Sequence, residues 1–191
     1  MSVVTTKRFT LDEYHRLIEL GFLTEGDRVE LIRGELVQMA AKGTPHSACN
    51  TVLLYELLPA LMGRALVRNQ EPVIMPLHSE PEPDFAIVRL QADNYRDSHP
   101  LPADIYLLIE VSDSTLSYDQ TTKLAVYAEN NIPHYWIVNL VAHRLERYSQ
   151  PYRNDRGECD YRLRQISLPS ERVTLPGFDD MALDLTKVFI A

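Results

Sequence analysis

From Ile105 to Val111 the chain reads Ile-Tyr-Leu-Leu-Ile-Glu-Val, apolar at both odd and even positions. A strand with one wet face would alternate, so this run predicts a central strand covered on both sides. His134-Tyr-Trp-Ile-Val138 has the same character, and Tyr135 and Trp136 read as core aromatics. Between the two runs, Ser117-Tyr-Asp-Gln120 has the spacing of a capping box and predicts a helix through about Glu129, stopped by Asn130-Asn131-Ile-Pro133. A right-handed crossover through that helix makes the 134–138 run the parallel neighbour of the 105–111 run.

Thr10-Leu-Asp-Glu13 is a second capping box. Leu11, Tyr14, Leu17 and Ile18 follow at helical spacing, with Gly21 as the stop. Residues 28–32 and 35–39 flank Arg33-Gly34 as a hairpin. A helix fits from about Pro45 to Met62, with Pro59 bending or shortening its last turn and Gly63 ending it. Short strands are expected near 65–69 and 73–75, and the stiff Glu80-Pro-Glu-Pro83 leads into the apolar run 84–88. A hairpin near 144–149 and 161–166 and a short helix near 183–189 complete the chain. With no repeat or linker in view, the reading is one α/β (α+β mixed) domain over 1–191: a central mixed sheet flanked by helices, preceded by an N-terminal helix and hairpin.

Composition narrows the choices. At 45% apolar and 24% charged, the sequence is that of an ordinary soluble globular protein. The formal charge of −8 argues against a generic nucleic-acid binder with a basic face, although carboxylates awaiting divalent cations also lower net charge. Arg144 to Arg164 holds six arginines against four acids, which fits a solvated hairpin or a local basic strip. No stretch reaches the roughly 18–20 apolar residues that cross a bilayer, and no membrane association is expected. The first residues lack the apolar core of a signal peptide. Cys49 and Cys159 stand far apart without CxxC spacing, as reduced thiols of a cytoplasmic protein do.

P-loop, GxSxG, HExxH and GxGxxG patterns are all missing, and the six histidines lack zinc-ligand spacing. What remains is a pair of acids at strand ends. Asp84 follows a proline and opens an apolar strand, and Glu110 sits near the end of the most hydrophobic one. A carboxylate beside such a strand is costly unless compensated, by a divalent cation, a cap or an ion pair. Mg²⁺ commonly takes one or two protein carboxylates and completes its shell with water and phosphate. Asp119 and Lys123 are spaced i,i+4, as in a surface ion pair worth about 0.3–0.5 kcal/mol; alternatively the Lys123 ammonium meets the acid cluster. His46, just before a predicted helix, reads as a cap or a solvent-exposed residue ahead of a functional one.

Taken together, Pro83-Asp84, Glu110-Val-Ser112, Asp119, Lys123, Tyr127-Ala128 and Ile132-Pro-His-Tyr-Trp-Ile-Val138 resemble the Uma-two family of restriction-endonuclease-like proteins. Glu30-Leu-Ile-Arg-Gly34, Met39 and His46 extend the similarity, which is strongest over residues 10–148, with 149–191 as a C-terminal hairpin and tail. The resemblance implies the PD-(D/E)XK nuclease fold, with Asp84 as the motif aspartate and Glu110 as its acidic partner. The sequence departs from the superfamily pattern at Ser112, which takes the place of the motif lysine; the resemblance assigns that role to Lys123 on the next helix. His134 and Asn139 are smaller departures, at positions where the family more often carries acids.

The implied activity is Mg²⁺- or Mn²⁺-dependent hydrolysis of DNA phosphodiester bonds. One or two ions held by Asp84, Glu110 and the main-chain carbonyl of Val111 would polarise the phosphoryl group and acidify water, with Lys123 stabilising developing negative charge. Glu30, His46 and Tyr127 are supporting candidates. Double-strand cleavage commonly needs two active sites, so a homodimer is compatible with this reading. Two other functions stay open: a non-catalytic binding protein on the same scaffold, and a metal-dependent hydrolase of small phosphate esters.

Overall fold

In the computed structural model, which describes residues 6–76 and 78–189, the chain opens with α1 (Leu11–Glu19). Thr10 caps it: its hydroxyl accepts from the Glu13 N–H, and the Glu13 carboxylate accepts from the Thr10 N–H, so two orphan donors are satisfied reciprocally. An antiparallel hairpin follows, β1 (Val29–Ile32) and β2 (Glu35–Gln38), then α2 (Thr44–Leu61). The hairpin turns at Arg33 (φ 50°) and Gly34 (φ 78°), both left-handed as a two-residue turn of this hand requires. Gly34 is also a close approach, since a Cβ there would meet Arg8 Cβ at 2.7 Å and the Phe9 carbonyl oxygen at 2.9 Å.

The chain continues through β3 (Leu66–Asn69), β4 (Phe85–Val88) and β5 (Ile105–Ser112). It then enters α3 (Leu116–Tyr118), a π-helical segment (Asp119–Lys123) and α4 (Leu124–Glu129) without a break. β6 (His134–Asn139), β7 (Arg144–Arg153) and β8 (Cys159–Ser167) complete a six-stranded mixed sheet in the order β3-β4-β5-β6-β7-β8. Only the β5–β6 pair is parallel, as the crossover predicts. β9 (Arg172–Leu175) and β10 (Phe178–Asp184) form a separate hairpin, and α5 (Leu185–Val188) closes the described chain.

Both faces of the sheet are covered. On one, Leu53, Leu57 and Leu61 of α2 pack with Ile109, Val111, Trp136 and Val138, and the β9–β10 hairpin adds Val173, Leu175 and Phe178. On the other, Leu124 and Tyr127 pack with Leu108, Tyr135, Ile137, Tyr148 and Tyr161. This double burial is the physical reason β5 and β6 lack alternation.

Several expectations are corrected. Residues 73–75 form no strand: Gln70 turns left-handed (φ 57°) after β3, and the segment is tied by single bonds, Val73 N–H to Pro81 O and Ile74 N–H to Pro100 O. The helix after β5 starts at Leu116, so Ser117 lies inside it and caps nothing. The C-terminal helix is only Leu185–Val188, because Leu183 and Asp184 still belong to β10. The β9–β10 hairpin lies outside these expectations, although Pro176-Gly177, with Gly177 at φ 82°, is an ordinary turn signal.

Candidate active site

β4 and β5 run antiparallel with Phe85 opposite Ile109, which brings Asp84 beside Glu110 at one end of the sheet. The Asp84 N–H donates to Glu110 Oε2 at 3.4 Å, and the Val111 N–H donates to Asp84 Oδ2 at 2.9 Å. A cavity of about 320 Å³ opens at this end, lined by Asp84, Glu110, Val111, Lys123, Glu30 and His46, among others. Five of the six expected side chains thus line one space; the sixth, Tyr127, lies behind it, donating to Glu110 Oε1 at 2.7 Å.

Asp84 is held from the α2 side. His46 Nε2 lies 3.0 Å from Oδ2, and Asn50 Nδ2 and Gln70 Nε2 donate to Oδ1 at 3.1 and 3.0 Å. An ionised carboxylate only accepts, so His46 Nε2 carries a hydrogen, and Nδ1 faces the Asn50 amide at 3.3 Å. Burial opposes ionisation of Asp84, but His46, the Val111 N–H and Gln70 outweigh it and hold the carboxyl down at about 2. His46 is therefore neither cap nor exposed residue: it sits in the first turn of α2 with its ring aimed at Asp84.

Glu110 is held from the other layer. Lys123 Nζ donates to its Oε1 at 3.0 Å and lies 3.2 Å from Glu30 Oε2, and all three side chains are buried. Burial first, and then the nearby charges of Asp119, Asp84 and Glu30, push the Glu110 carboxyl up to about 8 against the downward pull of Lys123. Burial works against the charge on Lys123 as well, but Glu110, Glu30 and Asp119 together keep it an ammonium. Acids outnumber the single buried amine.

The i,i+4 surface-pair reading of Asp119 and Lys123 fails. Both are buried in the π-helical segment, and Lys123 turns to Glu110 and Glu30. Asp119 instead accepts from Ser112 Oγ and Thr115 Oγ1, each at 2.7 Å. Ser112 thus anchors the segment that carries Lys123.

Charged lining residues outside the sequence-based site candidates include Glu82, Arg28 and Lys42. Glu82 had a signal, since two residues before Asp84 on an extended chain it shares that residue's side. Its carboxyl is pushed up by burial first and then by Glu30, and it makes no side-chain hydrogen bond among the described residues. Arg28 has no such signal, because its left-handed backbone (φ 47°) breaks the alternation just before β1. Lys42 carries no signal that separates it from a surface charge, whereas Asp119 is marked by the family resemblance alone.

No group of three or more His, Cys, Asp and Glu side chains forms a ready metal cage among the described residues. The donor set nevertheless fits Mg²⁺ or Mn²⁺, which need only one or two carboxylates beside water and phosphate. Glu110 Oε2 has just the 3.4 Å contact, and an added cation would offset the excess of acids.

Comparison with known proteins agrees with this architecture. A family model described as "Putative restriction endonuclease" matches residues 11–186. No curated protein matches the chain. Among solved structures, a protein from Anabaena variabilis described as "a putative nuclease belonging to DUF820" superposes with a TM-score of 0.73 at 14% identity, covering 95% of this chain and 97% of its own. At that identity the likeness is one of fold. With residues 11–186 of 191 matched by the family model, the chain belongs to the Uma2 (Uma-two) family of restriction-endonuclease-like proteins.

Proposed function

We propose that this protein is a Mg²⁺- or Mn²⁺-dependent endonuclease that hydrolyses DNA phosphodiester bonds. One observation carries the reading: Glu110 and Glu30 share a single buried ammonium, Lys123, in an open cavity that Asp84 also lines. A purely structural cluster would match each acid with a base, whereas here two buried carboxylates share one amine at a cavity that a cation can enter. Family membership supports the same activity.

Asp84, Glu110 and the Val111 carbonyl would hold the ion. Once bound, a divalent cation supplies charge against the phosphoryl oxygens and lowers the pKa of water. The protein's own groups do the rest. His46, Asn50 and Gln70 keep Asp84 ionised and fixed in rotamer. Tyr127 and Lys123 pin Glu110, and Lys123 places a positive charge beside the reacting phosphate, where it stabilises charge developing in the transition state. Glu30 orients Lys123 from its far side.

A second reading, a binding protein that does not cut, is favoured by one feature: protein donors already satisfy both oxygens of Asp84. Incubation with supercoiled plasmid in Mg²⁺ or Mn²⁺ separates the two. Nicked or linear product that disappears with chelator supports the endonuclease. DNA binding without cleavage supports the binding protein, and turnover of bis(p-nitrophenyl) phosphate alone points to a small-ester hydrolase.

A further inference from the structure

Lys123 is committed to two carboxylates, so it is not free to hold the substrate backbone as well. Two other cations line the same cavity. Arg28 precedes β1, two residues from Glu30, and a single bond from Nη2 to the Ala40 carbonyl at 3.3 Å leaves most of its N–H donors free. Lys42 lies in the loop between β2 and α2. Neither forms an ion pair among the described residues, in a chain where acids outnumber Lys and Arg by 27 to 19. The two are close enough to feel each other: burial and then Arg28 make protonation of Lys42 harder, while Asp84 and Glu82 ease it. Like charges that line one acidic cavity gain nothing for the fold. An anion between them would turn the repulsion into attraction.

We infer that Arg28 and Lys42 form a clamp for a backbone phosphate of the DNA, flanking the bond to be cut. The proposal rests on the nuclease reading above and deepens it by assigning the groups that take hold of the polymer. Arg28 supplies a planar fork suited to two phosphate oxygens, and Lys42 adds a point charge. Because Arg28 directly precedes β1, which carries Glu30, and Glu30 contacts Lys123, a phosphate seated on the clamp is registered against the catalytic amine.

The test is fluorescence anisotropy of a labelled DNA duplex titrated with protein at 50–200 mM salt. It uses the Glu110→Gln background, with intact DNA verified on gels. Adding Arg28→Gln and Lys42→Gln should weaken binding at least tenfold at 100 mM salt. It should also flatten the slope of log K against log salt by about one, since each neutralised phosphate contributes ~0.9. The charge-conserving pair Arg28→Lys and Lys42→Arg should recover most of that slope. Unchanged affinity and slope in the double Gln variant, while wild-type protein cleaves plasmid, overturns the clamp and leaves the nuclease standing. Failure of the charge-conserving pair to recover any slope marks the loss as structural and also overturns it. If wild-type protein neither binds nor cuts DNA, the nuclease reading falls and takes the clamp with it.

Discussion

Lys123 Nζ lies 3.0 Å from Glu110 Oε1, although the two residues belong to different layers of the fold. The amine comes down from the π-helical segment onto the end of β5, where Ser112 shares the strand face of Glu110. A positive charge at this point can therefore be delivered from either element. Lys123→Ala should abolish cleavage and cost about 3–5 kcal/mol, because Glu110 and Glu30 are left buried without their cation. Adding Ser112→Lys to that variant should restore part of both. Urea denaturation and plasmid cleavage, run on the two proteins together, check this; a double variant no better than the single one would refute the exchange.

His46 predicts a different phenotype. It touches Asp84 without being a candidate ligand, so His46→Ala should leave the fold intact and loosen the carboxylate. The Mn²⁺ concentration for half-maximal cleavage should rise about 10–100-fold, the usual effect of removing a group that orients a ligand. A fall in maximal rate with no change in metal dependence would contradict that role.

Glu146 offers a test remote from the site. Its buried carboxylate accepts from Arg144, Arg164, Gln120, Asn139 and Tyr148. Burial works against its charge, yet these donors hold it down at about 2. A depressed folded value means the stabilisation is complete above the unfolded carboxyl value of about 4.3 and is lost as pH falls toward 2. Glu146→Gln should cost about 1–3 kcal/mol at pH 6. The difference from wild type in urea unfolding should shrink between pH 4.5 and 2.5; a constant difference would rule out the charge as its source.

Gly34→Ala combines a left-handed φ with a Cβ 2.7 Å from Arg8 Cβ. It should lose more than about 1 kcal/mol in thermal or urea unfolding. An unchanged midpoint would mean that the turn relaxes freely.

Much of this architecture is legible in the sequence, for identifiable reasons. β5 and β6 announce themselves because burial on both faces removes alternation, and the α1 box because Thr10 and Glu13 satisfy each other. Asp84 and Glu110 stand out as acids against apolar strands. The π-helical segment does not, because Asp119 and Lys123 have the spacing of an exposed pair and only the packed sheet turns both inward. Gln70 and Asn50 were equally hidden. Neutral amides far from Asp84 in sequence carry no mark of the carboxylate they will meet.

The most direct measurement is metal-dependent cleavage of supercoiled plasmid by wild-type protein beside Asp84→Ala and Glu110→Ala. The account predicts that the wild type cuts in Mg²⁺ or Mn²⁺ and that each substitution lowers the rate at least a hundredfold (~2.7 kcal/mol of barrier) with the fold retained by circular dichroism. Cleavage that persists undiminished in both variants would contradict it.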